Sequence, residues 1–270
     1  MKKITILLFV VLILAASASC KKEKPAPSSV APSSVKPPPS SSEEEVSSEI
    51  IPEGTELYNF VSFLGEVASA KSANSDAKGF VHLRNTAIRY PIYQSEDNEF
   101  YLNHGPNKRA RQAGAVYADF RCTFPELSQN TVLYGHNQAD GSMFGTLRRN
   151  YIDIEFLKKN PIIEFSTADK DYKFKIFAAF YSDINFLFNI PDFPIHEEFE
   201  YIVQGAIKRS QYIISNVPVD AGEKIVTLST CAPDSMGDVR FVVMGRLLRD
   251  GEDLYALDAV PNPSPLKPKP

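Results

Sequence analysis

Tryptophan is missing from this chain, and cysteine and histidine are scarce, with three and four copies in 270 residues. Without tryptophan, aromatic packing falls to 18 phenylalanines and 12 tyrosines. Three cysteines, Cys20, Cys122 and Cys231, exclude a closed disulfide framework. At least one thiol stays unpaired unless the chain dimerises or Cys20 is modified. No pair of His, Cys or Asp residues has metal-ligand spacing, so neither a metal site nor any other cofactor is expected. A basic excess is also missing: the formal net charge of -4 argues against nucleic acid as a partner. The apolar run from Ile4 to Ala16 is shorter than the roughly 20 residues that a spanning helix needs.

What is present divides the chain into four parts. Residues 1–20 carry Lys2-Lys3, that apolar run, and then Ala15-Ala16-Ser17-Ala18-Ser19-Cys20, the layout of a secretory signal. The end resembles a bacterial lipobox with Cys20 as the lipidation candidate, although Ser17 stands where an aliphatic residue is usual. Three outcomes stay open: a lipoprotein, an uncleaved signal-anchor, or full secretion. In each, the body of the protein works outside the cytoplasm, and in the first two the N-terminus holds it at the membrane. Residues 21–50 are rich in Ser, Pro, Lys and Glu, and have too little to bury to offset their ordering entropy, which predicts a disordered tether. Residues 51–260 form the expected folded domain, and 261–270, with five prolines, read as an unstructured tail.

Within the domain, Leu57, Phe60, Val61, Leu64 and Val67 recur at helical spacing and predict a lead-in helix over Leu57–Ala70. The texture then changes to short runs of β type. Strands are expected at Gly79–Leu83, Ile88–Tyr93, Ala115–Asp119, Thr131–Tyr134, Pro161–Ser166, Tyr172–Tyr181, Lys224–Ser229 and Arg240–Leu248. Ser142–Arg149, Ile152–Lys159 and Glu197–Ser215 read as helices. Eight strands with inserted helices predict a mainly β fold, a closed or nearly closed barrel.

Cys231 closes the run Ile225–Leu228 and Ser229-Thr230, while Arg240 opens Phe241–Met244, so a two-strand unit would present both at one rim. A cysteine attacks only as thiolate and needs a base or a positive field beside it. His136 follows Val132-Leu133-Tyr134-Gly135, where a strand runs out into a loop, a usual place for functional side chains. Each residue alone also has a bland reading, as a buried inert thiol, a loop histidine and a surface arginine. His82, His104 and His196 sit in a strand, a turn and a helix start. Cys122 follows Asp119-Phe120-Arg121, and a Cys122–Cys231 disulfide remains open. Arg246 shares a strand face with Arg240 but lies six positions deeper.

The words around these residues are more specific. Thr227–Cys231 reads TLSTC, Arg240–Leu247 reads RFVVMGRL, Thr131–Leu147 reads TVLYGHNQADGSMFGTL and Asp97–His104 reads DNEFYLNH. In order and approximate spacing, over about Gly79 to Leu248, they resemble the class B sortases of Gram-positive bacteria. The resemblance implies an eight-stranded β-barrel with a helix between the last-but-two and last-but-one strands. It also implies a cysteine transpeptidase with Cys231 as nucleophile, His136 as general acid/base and Arg240 as stabilising cation. The expected substrate is a secreted protein with a C-terminal sorting signal, of Asn-Pro-x-Thr or Leu-Pro-x-Thr-Gly type, cleaved after Thr. The expected acceptor is an amine of a cell-wall peptide or a pilin. Tyr134, Ser229, Thr230 and Ala232 are the expected substrate-binding residues, with the Ala232 amide helping to hold the oxyanion. Two rivals stay open: an extracytoplasmic cysteine endopeptidase, and a lipid-anchored binding domain in which Cys231 is structural.

Overall fold

The computed structural model describes residues 60–231 and 238–269. The signal-type segment with Cys20, the tether, Leu57 and Ala232 lie outside the described residues. Among the described residues no helix is long and apolar enough to cross a membrane.

The eight strands expected from the sequence all form, as β1 (Ala77–Leu83), β2 (Arg89–Tyr93), β3 (Tyr117–Ala118), β4 (Asn130–Tyr134), β5 (Ile162–Ser166), β6 (Asp171–Ser182), β8 (Ile225–Cys231) and β9 (Arg240–Leu247). They close into one barrel in the order β1-β2-β3-β4-β8-β9-β6-β5. Closure removes the unpaired edges that an open sheet would expose. β8 lies between β4, to which it runs parallel, and β9, to which it runs antiparallel. Every residue of β8 except Cys231 is buried. Ile225–Leu228 there reads as a near-continuous apolar run rather than an alternating one, the pattern of a strand covered on both faces.

Helices α2 (Leu147–Tyr151), α3 (Ile154–Lys159) and α4 (His196–Arg209) decorate the barrel, with α2 against β9 and α4 against β6. α4 buries Phe199, Ile202, Val203 and Ala206, four positions that share one helical face. Ser142–Thr146 does not join α2 as its spacing suggested. Met143 has φ 53°, a left-handed conformation that no α-helix interior tolerates.

The lead-in helix is displaced from its expected span. α1 covers Leu64–Ala73, so Phe60 and Val61 precede it and Val61 is exposed. Phe63 and Val67 are buried beside Phe80 of β1. The apolar spacing reflected contacts made by the approach to the helix as well as by the helix itself.

The last six residues of the Glu197–Ser215 helix and the unstructured tail both need correction. After Arg209 the chain turns extended, and Tyr212–Ile214 forms β7, paired with β10 (Ala259–Pro261) in a separate two-stranded sheet. Tyr-Ile-Ile is aromatic and β-branched, and given a partner strand it prefers the sheet. Residues 262–269 are irregular yet docked: the amides of Asn262, Leu266 and Lys269 donate to Gln211 O, Lys208 O and Asp183 Oδ2 at 2.8, 2.9 and 2.7 Å. The prolines lack donors, but the residues between them still find acceptors.

Candidate active site

Strand register builds the site. Cys231 and Arg240 are direct cross-strand partners at the end of the β8–β9 pair. Tyr134 is the partner of Ser229 across the parallel β4–β8 pair, and the Gly135 amide continues that ladder by donating to Ser229 O at 3.2 Å. Two residues beyond Tyr134 stands His136, and two beyond Ser229 stands Cys231. The barrel therefore sets His136, Cys231 and Arg240 in a row at the same end of three adjacent strands. All three line one cleft of about 230 Å³, together with Asn98, Leu102, Tyr117, Tyr134, Gly135, Ser229 and Thr230.

Arg240 Nη1 donates to Cys231 Sγ at 3.2 Å. A guanidinium stays charged at any working pH, so it provides a fixed positive field at the thiol. Cys231 is exposed and unpaired, so it can be reached from the cleft. Cys122 is the reverse case: it is free but buried, and burial pushes its thiol up to about 12. A thiol held protonated in this way is inert. The Cys122–Cys231 disulfide is not formed.

His136 is held on two sides. Its carbonyl accepts from the Phe144 amide at 2.9 Å, and its Nε2 lies 2.6 Å from Leu102 O. A carbonyl can only accept, so Nε2 carries a proton and Nδ1 is the nitrogen left to act as base in the neutral ring. Gly135 is needed for this strand end to close: a Cβ there would lie 2.7 Å from Phe144 Cγ, well inside contact distance.

A family model described as a sortase domain matches residues 81–248 of the chain. Sortase B of Listeria monocytogenes is 36% identical over 184 residues, covering 68% of this chain and 74% of that protein. Sortase B of Staphylococcus aureus is 31% identical over 183 residues, covering 67% and 74%. The structure of a Staphylococcus aureus sortase B–substrate complex superposes with a TM-score of 0.63 at 29% identity, over 69% of this chain and 86% of that one. The chain belongs to the class B sortases. It is accordingly a sortase-type cysteine transpeptidase, and the reading of Cys231 as part of a mere binding domain falls.

Among the other expected residues of this sortase, Tyr134, Ser229 and Thr230 line the cleft, whereas Ala232 lies outside the described residues. The Thr230 hydroxyl is buried with no hydrogen-bond partner among the described residues. Tyr134 does not offer its hydroxyl to a ligand. That group donates to Asp119 Oδ2 at 3.0 Å and accepts from Asn189 Nδ2 at 3.1 Å, so the cleft meets its ring. The segment from Tyr181 to Lys224 meets the cleft wall at Asn189, which bonds the Tyr134 hydroxyl. α4 itself is spent on covering β6.

Three lining residues were not singled out from the sequence. Asn98 and Leu102 belong to the DNEFYLNH word, which marked the region without indicating which side chain or carbonyl mattered. Tyr117 carried no signal. Burial pushes its hydroxyl up to about 12 against the pull of the Arg240 charge, which makes it a neutral donor beside the site. His82, His104 and His196 lie elsewhere: His82 pairs with Glu164, His104 stacks on Phe100 and His196 opens α4. Arg246 is buried at the far end of β9, bonded to Glu252 at 2.6 and 2.8 Å.

Proposed function

We propose that this sortase cleaves a C-terminal sorting signal on a secreted protein after its threonine and passes the acyl group to an amine. The contact that carries the reading is Arg240 Nη1 to Cys231 Sγ at 3.2 Å, in a cleft shared with His136. Cys231 attacks the threonine carbonyl as thiolate, its proton passing to Nδ1 of His136. The carbonyl π-pair moves onto oxygen, and the Arg240 guanidinium, with a backbone amide at position 232, stabilises that oxyanion. The C–N bond then breaks, and His136 returns the proton to the departing amine. A thioester on Cys231 remains. An acceptor amine opens it, losing a proton to His136, and the threonine carbonyl ends in a new amide.

The sorting signal is of Asn-Pro-x-Thr or Leu-Pro-x-Thr-Gly type, and the acceptor amine belongs to a cell-wall peptide or a pilin lysine. The signal-type start of the chain supports work on the outer face of the membrane, held there by the N-terminal segment with Cys20 as a lipidation candidate. A panel of quenched peptides of both signal types, each with and without an amine acceptor, tests the assignment by product mass. Ligated product from one signal type is expected. Hydrolysis that ignores the amine for every peptide would favour the endopeptidase reading.

A further inference from the structure

Behind the cleft wall lies a carboxylate that the transpeptidation does not use. Asp119, just past β3, is fully buried. Arg121 Nε and Nη2 donate to its two oxygens at 2.8 Å each. The remaining donors are the puzzle. Asn98 Nδ2 donates to Oδ2 at 2.9 Å and Tyr134 to the same oxygen at 3.0 Å, and both residues line the catalytic cleft. Asn98 is fixed from its other end as well, its Oδ1 accepting from the Phe120 amide at 3.0 Å. A third segment is tied in through Asn189, whose Nδ2 donates to the Tyr134 hydroxyl and whose carbonyl accepts from Arg121 Nη2 at 2.8 Å. One carboxylate thus joins the loop before Leu102, the rim of β4 that leads into His136, and the stretch between β6 and α4.

Ion pairs around a buried carboxylate are weak devices for stability alone, because desolvation consumes much of the Coulomb gain, and here the Arg121 side chain is itself exposed. Their better-attested use is to fix one arrangement among several. Asn98, Tyr134 and Asn189 come from segments remote in sequence. Strand register and ring packing fix Tyr134, and the carboxylate ties Asn98 directly, and Asn189 through Tyr134 and Arg121, to that fixed point.

We propose that Asp119 is a positioning residue for the reaction: it sets the placement of the Asn98 and Tyr134 walls, with Asn189 braced behind Tyr134, and so governs capture of the peptide rather than the reactivity of Cys231. The proposal rests on the cleft being the peptide site. Asp119→Asn keeps the shape but puts a donor where donors already point.

The test uses the full chain and a sorting-signal peptide that the wild type turns over. Asp119→Asn should raise KM about tenfold, the scale of one lost charge-assisted hydrogen bond, with kcat little changed. Alkylation of Cys231 by iodoacetamide, which needs no groove, should keep its wild-type rate. A double-mutant cycle gives an independent measurement, and decides alone if Asp119→Asn fails to fold. Asn98→Ala removes the Asn98 arm, Tyr134→Phe removes the Tyr134 hydroxyl with its links to Asp119 and Asn189, and among the described residues these two side chains share no hydrogen bond with each other. If the carboxylate couples them, the double variant loses no more in kcat/KM than the worse single variant. Independent sites would give multiplied losses. A wild-type KM in Asp119→Asn, alkylation falling in step with turnover, or multiplied losses in the cycle would each overturn the proposal. Failure of the wild type to process any sorting-signal peptide would instead strike the proposed function.

Discussion

The guanidinium of Arg240 meets the sulfur of Cys231 as a direct cross-strand neighbour, and this pairing gives the proposed chemistry its first test. A lysine could place a charge there but not the planar fork that reaches sulfur and oxyanion from one fixed position. Arg240→Lys should therefore lower kcat/KM by roughly a hundredfold, the scale of one missing oxyanion donor, while the protein stays folded. Steady-state turnover of a sorting-signal peptide measures this, and near-wild-type rates would remove Arg240 from its role. Cys231, His136 and Arg240 were legible in the sequence because each stands at the end of an apolar run within a specific word. Their neighbours were less so. Asp119 and Arg121 were visible only as context for Cys122, because hydrogen bonds to Asn98 and Tyr134 close over distances along the chain that no local pattern records.

At the scale of elements, the site depends on the β4–β8–β9 register and on how β4 ends. The eight strands could be read from short β-rich runs: burial on both faces makes the middles of β6 and β9 apolar, while β1 and β2 keep polar residues at their more exposed positions. Helix limits were read less well. A left-handed Met143 delays α2, and β7 leaves the helical pattern only because β10, more than forty residues further on, pairs with it. The Pro-rich end escaped for the same reason, since its docking acceptors lie in α4, at Gln211 just past it, and at Asp183. Gly135 tests the strand end. Its substitution by alanine sets a Cβ against the buried Phe144 ring, close to the ring's attachment point, so the backbone leading into His136 must shift. Gly135→Ala should cost about tenfold or more in kcat/KM, since displacements on the order of 1 Å near chemistry reach a hundredfold. Unaltered turnover would show that the His136 loop tolerates displacement.

For the molecule as a whole, the end of the barrel away from the cleft holds a charged network independent of the site. Arg246 and Lys175 are buried, with Glu252 between them and Glu223 beyond. Burial acts to raise the Glu252 carboxyl, but hydrogen bonds and charge from Arg246 outweigh it, and the group sits below its ordinary range. Glu223 is held low against burial in the same way by Arg249 and Arg246. Carboxylates with lowered folded values contribute stability that is complete above their unfolded range, about pH 4.3 for glutamate, and is lost as pH falls through the folded values. Denaturant melts should therefore show stability falling below about pH 4, with a shallower fall in Glu252→Gln. Arg246→Met leaves Glu252 with Lys175 and the Arg249 amide and should cost about 3 kcal/mol, the scale of a broken buried pair. Turnover per folded molecule should be kept, because the change lies at the opposite end of β9 from Arg240.

In the proposed reaction Cys231 carries the acyl group between two amines. Mass spectrometry of the intact protein, mixed with a sorting-signal peptide in the absence of acceptor, tests it most directly. An adduct of the acyl fragment on Cys231 is expected, absent in Cys231→Ala and discharged as ligated amide when an amine is added. Turnover of the peptide by Cys231→Ala, or an adduct that added amine does not discharge into ligated product, would contradict it.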